Sequence, residues 1–375
     1  MKLSVPKAAF QKALARVQSL LDKRSSMPIL SHVLIEASED IRLKATNLQV
    51  YYDINLKGEI EEPGTIALPG RKLFNLVKES RSDKFTFVKN EENTLSLTDG
   101  KTHYTLYLID PESFPSFTYP RKETFIPVKA STFTKCLSKT IICAGEEDNY
   151  PHLAGVFLHK SPTMGKVRFG TSDNFRLALM EEDFPDLYNL LPSEELMLPT
   201  PGVNEILKFE AGEYELFVAL EKESMYIEKQ DELRLYLTIK SQPFIDYSKM
   251  YTFEVLSKAT IKRTSLQEAL KRMTIFAEEM LREVQLTFSQ TGEGTLKLET
   301  AVESGQAEEV LPIVYTGDEL VIYMDPRQLI QVLQVMESEF IEVSFTGDSS
   351  PCIITGAQDK GFTVAIMPYV DKEAE

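Results

Sequence analysis

The sequence predicts an α+β protein of three similar domains, each with its helices on one side of an antiparallel sheet. Two features recur along the 375 residues. One is an amphipathic helix pattern, whose first apolar residues are Phe10, Phe133 and Leu266. The other is a proline that leads into a second short apolar helix, at Pro69, Pro199 and Pro326. The spacings of 123 to 133 residues indicate duplicated domains, because solenoid repeats are typically ~20–50 residues long.

The first helix of each domain is predicted to bury one face. In the first domain, residues 7–21 carry Phe10, Leu14, Val17 and Leu21 on one stripe. The corresponding stripes of the second and third domains are Phe133, Leu137 and Ile141, and Leu266, Leu270, Met273 and Ala277.

Basic residues recur two and six positions after each helix anchor. These positions hold Lys12, Arg16, Lys135, Lys139, Glu268 and Arg272, of which five are basic in an acidic protein. A solvated helix face explains a few lysines. Their recurrence at one offset leaves a second interpretation open, in which the faces together form one positive surface.

A strand pair is predicted after each first helix, because apolar and polar residues alternate and β-branched residues are common. The pairs are 33–36 with 41–46, 155–158 with 167–172, and 284–288 with 296–300. The polar, glycine-bearing segment 289–294 is typical of a hairpin loop. The second helices, at 68–77, 198–207 and 324–333, each start near a proline, whose missing N–H costs nothing there. More strands follow in each domain.

Two linkers, 115–122 and 242–253, set the predicted domain boundaries. The domains are therefore placed at 1–122, 123–253 and 254–370. The charged tail 371–375 is predicted to be disordered.

Composition limits the protein class. At 375 residues the chain is long for one core, and 43% apolar with 26% charged residues is typical of a soluble globular protein. The net charge of −16 argues against a protein that coats nucleic acid by bulk attraction, although positive charge could be confined to one face. No stretch approaches the ~20 apolar residues of a membrane span, and the first residues lack a secretory apolar core.

The cysteines predict neither disulfides nor a metal site. Cys136, Cys143 and Cys352 are too few and too scattered for a disulfide framework, which indicates a reducing cytoplasm. Cys136 and Cys143 lie in an apolar helical stretch and are predicted to be core residues.

Catalytic motifs are missing from the sequence. It has no glycine-rich phosphate loop, serine elbow or paired-histidine helix, and its histidines share no ligand-like spacing. Asp173, beside Asn174 and Arg176, is interpreted as stabilising a turn rather than as part of an active site. A hydrolase or transferase therefore has no constellation to support it, and neither an enzyme nor a cofactor is predicted.

A series of short segments, each weak alone, carries a resemblance through its order and spacing. The segments are Pro28–Leu30, Val33–Ile35, Phe114-Pro115, Ser172–Ala178, Ala307–Glu309, Tyr315–Gly317 and Ile366–Pro368. With them the chain resembles, over essentially its whole length, the beta sliding clamp family, the beta subunit of bacterial DNA polymerase III.

The resemblance implies a ring of six domains, closed by a head-to-tail homodimer, with helices lining the hole and sheets outside. It implies a DNA polymerase processivity factor that encircles double-stranded DNA without sequence preference and catalyses no reaction. The implied partners are the replicative polymerase alpha subunit, an ATP-driven clamp loader and other clamp-motif proteins, in the cytoplasm. The alternative is a peptide-binding scaffold of the same fold that never encircles DNA.

The resemblance also implies DNA contacts at Arg24 and at the pair Arg71 and Lys72. The family pattern has a glutamine and a tyrosine pair where this chain has Glu147, Pro151 and His152. Tyr150 or His152 is expected to substitute for the missing tyrosines. With the recurring helix residues, the expected DNA-binding set is Arg24, Arg71, Lys72, Lys12, Arg16, Lys135, Lys139, Tyr150 and His152.

A pocket for short linear motifs is implied between the second and third domains. Carried over by position, it comprises Leu153, Ser172, Asn174, Phe175, Arg176, Leu177, Ile245, Lys249, Met250, Ser350, Pro351, Met367, Pro368, Tyr369 and Val370. Asn174-Phe175 stand where the family often has glycine-histidine, and Tyr369-Val370 where it often has Met-Arg, so an altered motif preference is expected. Without the resemblance, Met367 and Val370 would be interpreted as plain core residues.

The dimer contact implied by the resemblance joins the first domain of one subunit to the third domain of the other. It pairs Tyr104 and Leu106 with Ile275 and Phe276. Exposed apolar residues on a strand edge and a helix suit a subunit interface.

Overall fold

The computed structural model describes residues 1–21, 26–90, 93–209, 212–248, 254–276, 283–290, 294–302, 305–348 and 350–369. The chain splits into two compact units. Unit 1 comprises Met1–Ser131 and Asn204–Lys240, and unit 2 comprises Thr132–Val203 and Ser241–Glu375. This division runs through the predicted second domain, and the domain boundaries near 122 and 253 stay predictions.

The predicted order of helix, strands, second helix and strands is found in each repeat, with two additions. A strand at Lys2–Pro6, Ile126–Lys129 or Ser257–Lys262 precedes each first helix, and a helix at Pro185–Leu190 was not predicted. The helices are α1 (Lys7–Val17), α2 (Gly70–Glu79), α3 (Ala130–Thr140), α4 (Pro185–Leu190), α5 (Thr200–Ile206), α6 (Arg263–Met273) and α7 (Pro326–Val335). The strands up to the end of unit 1's first segment are β1 (Lys2–Pro6), β2 (His32–Ala37), β3 (Ile41–Thr46), β4 (Val50–Leu56), β5 (Glu59–Glu62), β6 (Gly64–Pro69), β7 (Lys84–Lys89), β8 (Thr94–Thr98), β9 (His103–Tyr107) and β10 (Ile126–Lys129). The next are β11 (Gly155–Lys160), β12 (Lys166–Ser172), β13 (Arg176–Asp183), β14 (Leu196–Pro199), β15 (Glu215–Glu221), β16 (Ser224–Lys229), β17 (Leu233–Thr238) and β18 (Lys240–Ser241). The last are β19 (Ser257–Lys262), β20 (Val284–Ser289), β21 (Thr295–Val302), β22 (Gly305–Pro312), β23 (Val314–Thr316), β24 (Leu320–Met324), β25 (Phe340–Phe345), β26 (Cys352–Gly356) and β27 (Phe362–Ile366).

The predicted first helices are confirmed as α1, α3 and α6. In α1 the apolar stripe is buried and Lys12 is exposed, as helical periodicity requires. The helix ends at Val17, earlier than the predicted Leu21, because the chain tightens into a turn in which the Leu20 N–H donates to the Val17 carbonyl at 3.0 Å. Leu21 is still fully buried, and Ala277 lies outside the described residues.

The recurring prolines mark the starts of the second helices, as predicted. Pro69 and Pro199 directly precede α2 and α5, whereas Pro326 is the first residue of α7. Asp325 caps α7 by accepting a hydrogen bond from the Arg327 N–H at 2.8 Å. The second helix packs against the first where both lie in one unit, α2 on α1 and α7 on α6.

Unit 1 contains two antiparallel sheets. One has the order β5-β1-β7-β8-β9 and the other β10-β15-β16-β17-β4-β3-β2-β6. In the second sheet Tyr236 of β17 lies opposite Tyr51 of β4. Strands of the first predicted domain and of the second thus form one continuous sheet.

Unit 2 repeats this arrangement. Its larger sheet runs β14-β11-β12-β13-β27-β26-β25-β19-β23, and its smaller sheet runs β22-β21-β20-β24. Leu177 of β13 lies opposite Ala365 of β27. Here strands of the second predicted domain pair with strands of the third.

The predicted strand pairs are confirmed, and their alternation reflects one buried face. Along β20, Val284, Leu286 and Phe288 are buried while the residues between them are partly exposed. The three cysteines are buried, and the prediction that Cys136 and Cys143 are core residues is confirmed. In the predicted hairpin loop, Ser289 pairs with Thr295, and 291–293 lie outside the described residues.

Candidate functional site

An apolar surface lies in unit 2 where β13 pairs with β27; we call it the β13–β27 surface. Its floor is a cluster of buried side chains: Leu153, Phe157, Leu177, Leu179, Met197, Phe244, Ile353 and Ala365. Tyr150, Ile245 and Tyr247 are partly buried and pack against this floor. The structure therefore brings together Leu153, Leu177 and Ile245, three of the residues expected to bind a peptide.

The turn from β12 to β13 forms one edge of this surface. The Ser172 hydroxyl accepts from the Asn174 N–H at 3.1 Å and donates to the Arg176 carbonyl at 2.8 Å. Asp173 accepts from the N–H groups of Phe175 and Arg176 at 3.0 and 2.7 Å, and from Arg176 Nε at 2.8 Å. The predicted turn-stabilising role of Asp173 is confirmed. Asn174 has φ of 74°, a conformation that asparagine tolerates better than most residues.

Large apolar side chains stand exposed along the rim. Phe175 is 56% exposed, Met367 39% and Tyr369 38%. The Met367 N–H donates to the Phe175 carbonyl at 2.9 Å, so the two rim residues are held side by side. The interpretation of Met367 as a core residue is wrong. Strand β27 ends at Ile366, so Met367 lies beyond the last strand residue that faces the core.

The remaining expected peptide contacts have varied surroundings. Pro368 is buried, whereas Ser350 and Pro351 are partly exposed beside the pair Cys352 and Ile366. Arg176 also donates to the Gln331 side chain at 2.7 Å. Lys249, Met250 and Val370 lie outside the described residues.

Sequence reasoning missed the aromatic support under this surface. Phe244 stacks on Phe157 with ring centroids 4.5 Å apart, and Tyr247 contacts His159 through its hydroxyl. Arg168 also donates to the Tyr247 hydroxyl, at 3.2 Å. The available signal was Phe244 and Tyr247 within the segment 242–253, which was interpreted as a linker.

Titratable groups beneath the aromatic support are perturbed by burial. Burial lowers the pKa of His159, whose Nδ1 is buried and has no hydrogen-bond partner among the described residues. Burial likewise raises the pKa of Tyr247. Burial opposes ionisation of Glu181, yet hydrogen bonds from Ser161 and Arg168 leave the pKa of that carboxyl lowered. At neutral pH the imidazole is therefore uncharged beneath the apolar surface.

Four of the expected DNA-binding residues of unit 1 lie on α1 and α2. Lys12, Arg71 and Lys72 are exposed, and Arg71 Nε donates to the Leu21 carbonyl at 2.9 Å. Arg16 is half-buried, with its guanidinium 4.4 Å from the Phe209 ring centre and 5.5 Å from that of Tyr52. Arg24 lies outside the described residues.

The expected DNA-binding residues of unit 2 include one correction. Lys139 is only 2% exposed, and its ammonium is paired with Asp359 and lies 3.7 Å from Glu337. The expectation of a solvated Lys139 is wrong, because this buried carboxylate holds its charge inside the unit. Lys135 remains partly exposed, in an ion pair with Glu337 at 2.8 Å.

The segment before β11 is polar at its surface. His152 is exposed, and Tyr150, packed on the floor of the β13–β27 surface, lies edge-on to it with ring centroids 6.4 Å apart. Glu147 and Pro151, the departures from the family pattern, are both exposed.

The expected dimer residues divide between surface and core. Ile275 is 79% exposed, and Phe276 and Tyr104 are partly exposed. Leu106 is only 5% exposed, so the expectation that it is a surface residue is wrong. On β9 it lies opposite the buried Leu95, and this register turns it toward the core while Tyr107 is 80% exposed.

The described residues include neither a membrane-spanning helix nor a group of metal-binding side chains. None of the described helices is long and apolar enough to cross a membrane. Within the same residues, His, Cys, Asp and Glu side chains form no group that could hold a metal ion.

Repeated α+β elements, exposed basic helix residues and an exposed apolar surface together define a binding protein of the DNA-clamp class. Two family models match the chain: the N-terminal domain of the DNA polymerase III beta subunit over residues 1–119 and its C-terminal domain over 254–370. The chain belongs to the family of the DNA polymerase III beta subunit, the beta sliding clamp.

Individual relatives extend the match to the whole chain. A beta sliding clamp of Chlamydia pneumoniae is 24% identical over 372 residues, covering 99% of this chain and 100% of that protein. A beta sliding clamp of Caulobacter vibrioides is 25% identical over 374 residues, covering 98% and 99%. The crystal structure of the polymerase beta subunit of Streptococcus pyogenes matches with a TM-score of 0.90 at 19% identity, covering 99% of this chain and 100% of that one. The predicted family and fold are confirmed.

Proposed function

We propose that this protein is a DNA polymerase processivity factor, a ring that encircles duplex DNA, slides along it and tethers replication and repair proteins through the β13–β27 surface. The observation that carries this proposal is the exposed rim of Phe175, Met367 and Tyr369 above the buried apolar floor. A linear motif with apolar anchors would bury these side chains, and one or two such anchors supply most of the affinity, at about 2 kcal/mol or more each.

Truncating the floor and the rim together tests the peptide-binding role. We expect the double variant Leu177→Ala with Met367→Ala to lose binding of a labelled polymerase alpha-subunit peptide in fluorescence polarisation. Met164→Ala is the matched control, because Met164 is 86% exposed in a loop away from this surface. Unchanged peptide affinity in the double variant would refute the placement.

The proposed DNA contacts are the exposed basic residues Lys12, Arg71 and Lys72 and the partly exposed Lys135. Diffuse contacts of this kind hold phosphate without reading bases, and an acidic chain of net charge −16 would repel DNA elsewhere. Tyr150 and His152 are proposed as further contacts, and Arg24 stays in the set by family position. Lys139 leaves it.

Retention on DNA tests encirclement. After loading by an ATP-driven clamp loader, the protein should stay on circular DNA and be lost when the circle is cut. A scaffold that never encircles DNA would show the same retention on both forms. The double variant Lys12→Glu with Lys72→Glu should be lost from circular DNA at a lower salt concentration than the wild type.

The proposed assembly is a head-to-tail homodimer that acts in the cytoplasm and catalyses no reaction. We propose that Ile275 and Phe276 of one subunit meet the β9 edge, including Tyr104, of the other. Light scattering should give about twice 42.6 kDa for the wild type. Ile275→Lys with Phe276→Glu should give monomers, and a persistent dimer in sedimentation would contradict this contact.

A further inference from the structure

The turn that edges the β13–β27 surface has a structural equivalent in unit 1. Between β3 and β4, the Thr46 hydroxyl accepts from the Leu48 N–H at 2.9 Å and donates to the Val50 carbonyl at 2.8 Å. Asn47 accepts from the N–H groups of Gln49 and Val50, at 3.1 and 2.8 Å. Leu48 has φ of 77°, close to the 74° of its equivalent in unit 2. The Ser172–Arg176 turn of unit 2 has the same hydrogen bonds between side chains and backbone.

The residues that follow these turns are equivalent as well. Tyr51 lies opposite Thr46 on the neighbouring strand, as Leu177 lies opposite Ser172. An aromatic connecting segment covers each position. In unit 1, Phe117 packs on Tyr51 and on Tyr236 with ring centroids 4.2 and 4.9 Å apart.

A cavity of about 740 Å³ opens beside these rings in unit 1; we call it the β4–β17 cavity. Tyr51, Phe114, Phe117 and Tyr119 form its aromatic wall. The volume falls within the usual range for ligand pockets, about 300–1,000 Å³.

Charged side chains line the polar part of the cavity, with a small excess of cations. Arg42, Lys44, Lys89 and Arg234 line it together with three carboxylates. Three of these cations are already paired: Arg42 with Asp53 at 2.6 Å, Lys44 with Glu36, and Arg234 with Glu228 at 2.7 Å. The lining therefore has four cations against three carboxylates, in a chain of net charge −16.

Within the described part of the chain, the aromatic wall contains one unpaired hydroxyl group. The Tyr119 hydroxyl is buried and has no hydrogen-bond partner among the described residues. Its ring lies beneath the guanidinium of Arg234, 5.2 Å from the ring centre. Burial raises the pKa of both Tyr119 and Tyr51, which keeps both hydroxyls protonated. The complement of such a wall is an acceptor, and a carboxylate is the strongest that a peptide offers.

We propose that the β4–β17 cavity is a second docking site, which binds an extended acidic segment of a partner protein through one apolar anchor and adjacent carboxylates. The anchor would lie against Phe117 and Phe114, and the carboxylates would face Arg234 and Lys89. The inference rests on the proposed function, because it takes the peptide-binding role of the equivalent β13–β27 surface as its starting point.

The test isolates this cavity in the full-length protein. A random heptapeptide display library is selected on the variant Leu177→Ala with Met367→Ala, in which the β13–β27 surface is disabled. We expect enrichment of peptides that combine Asp or Glu with a Leu or an aromatic residue. Binding of one enriched peptide, measured by fluorescence polarisation, should weaken at least tenfold with Ser116→Trp, which fills the cavity from an exposed lining position, and with Lys89→Glu.

Lys122→Trp is the matched control, because Lys122 is exposed in the same connecting segment but does not line the cavity. Circular dichroism checks that each variant is folded. No enrichment, or enriched peptides that bind equally to Ser116→Trp, would overturn the proposal. Binding of a labelled single-stranded oligonucleotide that Ser116→Trp abolishes would overturn it in favour of a nucleic-acid site.

The two proposals fail in different measurements. If the polymerase peptide does not bind the wild type while the acidic peptide binds the β4–β17 cavity, the proposed function of the β13–β27 surface fails and the second site stands. If the polymerase peptide binds and the acidic selection fails, the second site alone is excluded.

Discussion

The β13–β27 surface and the β4–β17 cavity share a backbone plan but differ in chemistry. Each follows a Ser- or Thr-bonded turn, and each lies where strands of two neighbouring predicted domains pair. In unit 2, the small Ala365 opposite Leu177 leaves an apolar floor with an exposed apolar rim. In unit 1, Tyr236 lies opposite Tyr51, and cations line the space beside their rings. A repeated fold therefore supplies both proposed sites, and a few side chains give them different chemistry.

The helices show a similar divergence at one repeat position. Six residues after the helix anchor, unit 1 has Arg16, stacked on Phe209 near the surface, whereas unit 2 has Lys139, buried against Asp359. The equivalent position in the repeat determines where the side chain leaves the helix. The element packed against that position determines whether the charge is solvated.

Breaking the buried ion pair of unit 2 should have the largest effect. Asp359→Ala leaves the Lys139 ammonium buried without its closest carboxylate, so we expect a loss of about 3–5 kcal/mol in the free energy of unfolding. Asp359 also accepts from the Ser338 N–H at 3.0 Å, which adds to this loss. Urea denaturation measures it. Glu337→Ala is the control: its carboxylate is about half exposed, and a change of about 1 kcal/mol or less is expected. Equal losses in the two variants would show that burial of the pair does not matter.

The aromatic supports of the two sites should differ in their contribution to stability. Phe244 is only 9% exposed, and Phe244→Ala should cost about 3–5 kcal/mol, the usual range for a buried phenylalanine. Phe117 is half-buried, and Phe117→Ala should cost less, about 2 kcal/mol, because less apolar area returns to water. Denaturant titration of both variants compares them. A larger loss for Phe117→Ala would mean that the unit 1 ring cluster is the tighter of the two.

Much of this architecture is readable from the sequence, because helix and strand periodicities are local. The α1 stripe and the alternation in β20 follow directly from residue order. The buried state of Lys139 does not, since its partner is 220 positions away in the chain. Leu106 was missed for a related reason: a strand has two faces, and only the pairing with β8 shows which one faces the core. Phe244 and Tyr247 are visible as aromatic residues in the sequence, but their packing depends on a sheet formed by distant strands.

Acidification should distinguish the two sites, because only the β13–β27 surface rests on a buried histidine. Burial lowers the pKa of His159 below its ordinary value of 6.5, so on acidification the unfolded chain takes up this proton before the folded one. The stability contributed by neutral His159 is therefore complete above pH 6.5 and is lost as the pH falls below it. We expect His159→Gln to lose less unfolding free energy than the wild type between about pH 7.5 and about pH 5.5. His103→Gln, at an exposed position in unit 1, is the matched control. Parallel pH profiles for wild type and His159→Gln would contradict the prediction.

The smallest expected effect comes from exchanging residues between the equivalent turns. Leu48 and Asn174 both adopt positive φ, 77° and 74°, and both are exposed. Side chains in this region cost roughly 1–2 kcal/mol, and asparagine, whose short polar side chain can bond locally, bears the conformation more easily than leucine. Leu48→Asn should therefore stabilise unit 1 by up to about 1 kcal/mol, and Asn174→Leu should destabilise unit 2 by about the same amount. The backbone hydrogen bonds of both turns are kept, so the sign of each change reports the side chain alone. Urea denaturation of the two single variants gives the two signs, and changes of the same sign would show that the turns, though bonded alike, are not energetically equivalent.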